Sequence, residues 1–125
     1  MRDDDPAVIA RLEKLLQSMA DEVSAQGPCG VAVACIRTGA PAMMDKSFQD
    51  AIEGASATFA HGKSVRMPSG AGHDAQILAT IMPAGMLFVP SIGGISHHWS
   101  ENTADADIVT GAEVYVEACR RLLSK

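Results

Sequence analysis

GMLFVPSIGGISHHWSENT, residues 85–103, decides how this chain is read. The apolar run Gly85–Pro90 opens into a polar loop with paired glycines, Gly93 and Gly94, and paired histidines, His97 and His98. A short apolar run without alternation predicts a strand buried on both faces, as in a parallel sheet. Upstream the pattern recurs. KSVRM, 63–67, is a short strand candidate, and it leads into PSGAGHDA, 68–75, where small residues precede His73.

The rest of the chain supplies helices around these strands. Asp5 followed by Pro6 is a helix start, with a capping carboxylate before a proline at the first helical position. Val8, Ile9, Leu12, Leu15, Leu16, Met19 and Val23 then recur at helical spacing up to Gly27-Pro28. GVAVACIR, 30–37, reads as a strand, and TGAPAMM, 38–44, as a connector. Asp45 caps a second helix with Phe48, Ile52, Ala55 and Phe59 on one face and Gly62 as its C′ residue. A third helix is expected from about Gly72 to Ile81, stopped by Pro83. A last one is expected from about Ala104 to Leu123, with Ile108, Val109, Ala112, Tyr115, Cys119 and Leu122 along one side. The order α-β-α-β-α-β-α predicts an α/β fold, a partial parallel-type sheet with flanking helices.

Composition narrows the function. Hydrophobic residues make up 47% and charged residues 20%, the balance of a globular chain. A net charge of -5 and an aromatic content of 4% argue against nucleic acid and anionic membranes as partners. No apolar run approaches the length of a transmembrane helix. The start MRDDDP has no apolar core of a signal peptide. Cys29, Cys35 and Cys119 form no pairable framework, which fits a reducing compartment, and a cytoplasmic location is the default expectation.

The chemistry-bearing candidates are the two histidine loops. In open α/β sheets ligands bind beyond the carboxyl ends of strands. Parallel strands would therefore place His73 and His97 on a common rim. The helix start near Gly72 would aim free N–H groups at an anion. A catalytic zinc needs about three protein ligands, and neither an HxD nor an HExxH spacing is present. Asp74, Glu101, Asp105 and Asp107 are nearby carboxylates. Asp105 and Asp107 also suit the dipole of a helix start, and Glu101 suits loop bracing equally well. For His73, helix capping or loop hydrogen bonding stands beside a functional role. His98 reads as exposed and His61 as a surface residue near a helix C-terminus. Met43, Met44, Met67, Met82 and Met86, together with Cys35 and Cys119, read as core filler. No nucleophile–base–orienter set is legible.

MPSGAGHDAQ (67–76), PAGMLFVPS (83–91), GGISH followed by Glu101 and Thr103, and a helix carrying GAEV (111–114) together resemble one family. They look like the C-terminal region of the zinc-dependent amidohydrolases of the M20 peptidase family. Within it they are most similar to the N-carbamoyl-L-amino-acid hydrolase, allantoate amidohydrolase and β-ureidopropionase group. The resemblance covers roughly 64–125 specifically and the earlier part more loosely. It implies a lid or dimerisation domain remnant over 1–40 and the C-terminal part of a metallo-hydrolase catalytic domain over 41–125. His97 matches the family's last metal ligand. Gly72 and His73 match positions that contact substrate, and Gly94, Ile95 and Ser96 match the loop that presents the ligand. His98 and Trp99 depart from the usual small residue and proline there.

The resemblance implies a two-metal site with Zn2+, or Mn2+ or Co2+, acting on a linear amide or ureido C–N bond in a small molecule. The metals would polarise the carbonyl and acidify a bridging water, and a carboxylate would take the proton. The family's other ligands, a His, a bridging Asp, a Glu and a second His, and its general base belong to motifs that are not in these residues. No catalytic residue is therefore assigned here. The chain is expected to be one part of such a hydrolase, inactive alone and completed by an upstream N-terminal half, and to form a homo-oligomer. A non-catalytic binding or oligomerisation module is the rival reading. So is a small metal-binding protein using His73, Asp74 and His97.

Overall fold

The first helix starts where a carboxylate meets a proline. In a computed structural model that describes residues 3–36 and 39–124, Asp5 caps the first helix, α1 (Pro6–Gln26), its Oδ1 accepting from Ala7 N at 2.8 Å. Asp45 caps α2 (Lys46–Phe59) in the same way, accepting from Ser47 N at 2.8 Å and Phe48 N at 3.2 Å. α3 (Asp74–Leu78) is a single short helix, and α4 (Asp105–Leu123) closes the described chain. Met1, Arg2, Arg37, Thr38 and Lys125 lie outside the described residues, and with them the end of the 30–37 strand candidate and the start of the 38–44 connector.

The contacts divide into two compact units. One comprises residues up to Ala42 together with Pro68–Gly72. In it Ser24 fastens the extended segment 30–36 to α1: its Oγ accepts from Val31 N at 2.8 Å and donates to Ala20 O at 2.8 Å. Ala20 is the one described α1 residue that is buried. The expected apolar stripe is real as a pattern, but Leu15, Leu16, Met19 and Val23 remain exposed.

The second unit, Met43–Met67 with His73 onward, holds the core. α2 packs on α4 through small residues: Ala51 and Ala55 meet Val114 and Ala118, with Ile52, Phe59, Leu87 and Leu122 against them. Close approach is the reason the core is built of alanines. A Cβ at Gly54 would fall 2.2 Å from Arg121 Nη1, and one at Gly111 would fall 2.4 Å from Val89 Cγ1. The buried face of α4 thus runs through Gly111, Val114, Ala118 and Leu122. The expected line through Ile108, Val109 and Tyr115 faces outward, exposed at 50%, 57% and 64%. Helix spacing admits both stripes, and the alanine face of α2 selects the one that allows the tighter approach.

No β-ladder forms among the described residues, so the expected sheet is not part of the described fold. A strand persists as such only when its backbone groups find a partner strand. Segments 30–36, 63–67 and 85–90 lie extended, each held by other means. Arg66 in the second segment donates from Nη1 to Gln49 Oε1 at 3.0 Å and from Nη2 to Asp50 Oδ1 at 2.7 Å, with Glu53 also paired to Nη2. Residue 84 is held by Asp45 N, which donates to Ala84 O at 2.8 Å, and Gly85 lies against the Phe48 side chain. The expectation of burial on both faces of 85–90 fails for Phe88 and Val89, exposed at 51% and 39%.

Further corrections follow the same rule, that periodicity does not fix burial. Cys35 is exposed and Cys119 half-buried. Met43, Met67 and Met82 are exposed and so are not core filler. α3 starts at Asp74, later than Gly72, and ends at Leu78. At the end of α2 the left-handed backbone starts at His61 (φ 47) and continues at Gly62 (φ 77), with Lys63 N donating to Ala60 O at 2.9 Å.

Candidate functional site

The loop between Pro90 and α4 is closed by its own backbone. Ile92 N donates to Asn102 O at 2.8 Å, so its two ends meet. A 3₁₀ turn, Ile92–Gly94, follows Ser91, with Gly94 N donating to Ser91 O at 3.1 Å. Gly93 and Gly94 both take φ 68, a left-handed conformation that side chains rarely adopt. The paired glycines are therefore needed for the turn that delivers Ile95, Ser96 and His97.

His97 itself has φ 56, in the same left-handed region. Its backbone N–H donates to Glu101 Oε2 at 2.7 Å. Glu101 N in turn donates to His98 O at 3.0 Å. Of the two roles open to Glu101, ligand or brace, the geometry places Oε2 on the loop backbone. His98 Nδ1 is 2.8 Å from Ser100 Oγ, and its ring lies 5.4 Å from that of Trp99, which is 91% exposed. The exposed surface role expected for His98 holds. Asp105 and Asp107 stand in the first turn of α4, where negative charge complements the helix dipole, and the cap residue Ala104 offers no side-chain bond.

His73 stands at the N-cap position of α3 without a side-chain capping bond, which removes helix capping but not loop hydrogen bonding as a structural role for it. Its imidazole is half-buried and lies 5.4 Å from the Phe88 ring at a 55° tilt. That contact ties His73 to the segment leading into the His97 loop, a link the spacing could not show. α3 is only 5 residues long, so the expected helix start for an anion is reduced to one turn, with Asp74 itself in it. Gly72 falls with the other compact unit. Its φ is not left-handed, and a Cβ there would meet nothing within 4 Å.

Among the described residues no three His, Cys, Asp or Glu side chains gather as a metal-holding group. A catalytic metal takes about three protein ligands. The described residues alone do not fit one, and His97 stands as a single imidazole on a preformed loop. Among the described residues no helix is long and apolar enough to cross a membrane.

Comparison with known proteins places this loop in context. Residues 4–121 match Peptidase family M20/M25/M40, and the chain belongs to that family. The chain is similar to the allantoate amidohydrolase of Escherichia coli, 53% identical over 47 residues, which cover 38% of this chain and 12% of that protein. It is 25% identical over 118 residues to the N-carbamoyl-L-amino-acid amidohydrolase of Rhizobium meliloti, covering 94% of this chain and 28% of the other. A solved Burkholderia cenocepacia chain, described as an amidohydrolase/peptidase, superposes with a TM-score of 0.82 at 32% identity over 94% of this chain and 28% of its own length. The chain thus spans between 12% and 28% of these relatives. These relatives bear out the resemblance to the M20 amidohydrolase group that the histidine loops carry.

Proposed function

We propose that this chain supplies the C-terminal share of the active site of a metal-dependent amidohydrolase. Such an enzyme would cleave a linear C–N bond in a small amide or ureido compound, such as an N-carbamoyl-L-amino acid or allantoate. The observation that carries the reading is the His97 loop: an imidazole held in left-handed backbone by a glycine pair and a carboxylate, in a chain of the M20 family. In this reading His97 is one metal ligand, and zinc, manganese or cobalt is the metal. His73, set against Phe88, meets the substrate. The remaining ligands and the base come from a preceding, N-terminal part. The extended segments 63–67 and 85–90 are then strands of a sheet completed by that part, which accounts for the exposure of Phe88 and Val89. The residues up to 40 belong to a lid and those from 41 to the catalytic domain; the break between Ala42 and Met43 supports a boundary there, although Pro68–Gly72 groups with the first part.

The test is hydrolysis by the purified chain with zinc, manganese or cobalt, on N-carbamoyl amino acids and allantoate. No turnover is expected from the chain alone, and turnover is expected once an N-terminal half of the same family is added. Metal-dependent turnover without that half, or none with it, would overturn the reading.

A second reading is favoured by the exposed Leu15, Leu16, Met19 and Val23 on α1 and by Val31 and Val33 on the unpaired segment beside it. These form an association surface, through which the chain makes a homo-oligomer by edge pairing.

A further inference from the structure

We infer that Glu101 is a positioning residue for His97: its carboxylate clasps the loop backbone and so fixes the direction in which the imidazole is presented. Two independent observations carry this. First, among the described residues only His61 and His97 are non-glycine residues with positive φ. Left-handed backbone at a residue with a Cβ persists only where its surroundings over-determine it. Glycine would hold the same backbone freely, as Gly93 and Gly94 do four and three residues earlier. A histidine there needs something else to hold the backbone.

Second, that holding group is identified by geometry. Glu101 Oε2 accepts from His97 N at 2.7 Å, the short length of a charge-assisted hydrogen bond. Glu101 N donates to His98 O at 3.0 Å, so one residue grips the chain on both sides of the His97 Cα. The clasp sits inside a loop already closed by Ile92 N and Asn102 O. Every one of these bonds lies within residues 91–102, so the loop holds its shape by local bonds. Glu101 is exposed, and removing its carboxylate leaves the α2–α4 core untouched.

That the clasp serves chemistry rests on the reading of His97 as a metal ligand; the clasp itself does not. The experiment compares the full chain with E101A and E101Q by NMR. In E101A the His97 amide should exchange roughly tenfold faster or more, the scale of losing a hydrogen bond to a charged group. The His97 HN–Hα coupling, which reports φ, should move away from its wild-type value, while α2 and α4 amide protection and the melting temperature stay at wild-type values. E101Q keeps an acceptor and should restore most of both loop signals. Unchanged His97 exchange and coupling in E101A would overturn the inference. So would a loss of protection spread over α2 and α4, which would make Glu101 a general stabiliser. Turnover assays that fail while the His97 signals behave as stated would sink the metallohydrolase reading and leave the clasp in place.

Discussion

His61 and His97 share a backbone conformation but not the means of holding it. His97 is clasped by a carboxylate, whereas His61 follows the end of α2 and leans on the backbone turn from Lys63 N to Ala60 O. Glycine is the usual residue at that point after a helix. His61→Gly is therefore expected to raise stability by roughly 0.5–1 kcal/mol, a rise that His61→Ala should not reproduce. Urea melts followed by helical circular dichroism check this. Gly94→Ala meets open space yet must hold φ 68, so its effect is conformational. A local cost of about 1 kcal/mol is expected, read as faster amide exchange across 92–102 rather than as a lower melting point. The sequence made both glycines of the GG pair legible as a tight approach. It could not show that a histidine three residues on would share their conformation, because a left-handed residue held by a remote acceptor leaves no spacing signal.

At the scale of elements, α2 and α4 decide the fold of the larger unit, and two glycines measure how tightly they and their neighbours approach. Gly111→Ala would push a methyl to 2.4 Å from Val89 Cγ1, a branched side chain with little room to turn. A loss of about 1–3 kcal/mol is expected, largely recovered in the double variant with Val89→Ala. Gly54→Ala meets the Arg121 guanidinium, the free end of a long side chain that also bonds Glu117 Oε1 at 3.0 Å. The arginine can swing away, so the cost should stay below about 1 kcal/mol.

The charged edge of α2 adds a pH dependence. The hydrogen bond from Lys46 Nζ to Asp50 at 2.6 Å, and then that from Arg66, hold the Asp50 carboxyl below its ordinary value. Asp50 thus ionises more readily folded than unfolded. Its contribution is present above the unfolded carboxylate range and is lost as pH falls through the depressed value. A small stability difference between wild type and Asp50→Asn is expected at neutral pH, vanishing in acid; a difference that grows in acid would contradict the pairing. The caps of α1 and α2 could be read directly from Asp5-Pro6 and Asp45. The buried stripe of α4 could not, because two stripes had helical spacing and only the partner helix chose between them.

At the scale of the whole molecule, exposed apolar side chains are the leading fact. α1, the 30–36 segment, the end of α3 and the outer face of α4 all leave large aliphatic or aromatic groups in water. Within one compact unit, the exposed groups of α1 and of the 30–36 segment tied to it by Ser24 are the candidate site of association. Light scattering should show self-association that grows with concentration, and Leu16→Glu with Val31→Glu should reduce it. A strict monomer at high concentration would remove the oligomerisation reading. Dialysis against zinc provides a separate check. Retention of zinc by the chain alone at stoichiometric level would contradict the assignment of His97 as one isolated ligand among the described residues.

By itself the sequence determined α1, α2 and α4, the caps of α1 and α2, the two glycine-framed histidine loops, and membership of the M20 family. These rest on local chemistry: capping carboxylates, helical periodicity, and residues that must stand next to each other along the chain. Tertiary structure alone decided that His73 lies against Phe88, that Glu101 grips His97, and which face of α4 is buried. It also decided that the three extended segments pair with no strand among the described residues. Those outcomes depend on which surfaces meet and which backbone groups find partners. A period of two or 3.6 residues says which side chains share a face, but not what covers that face.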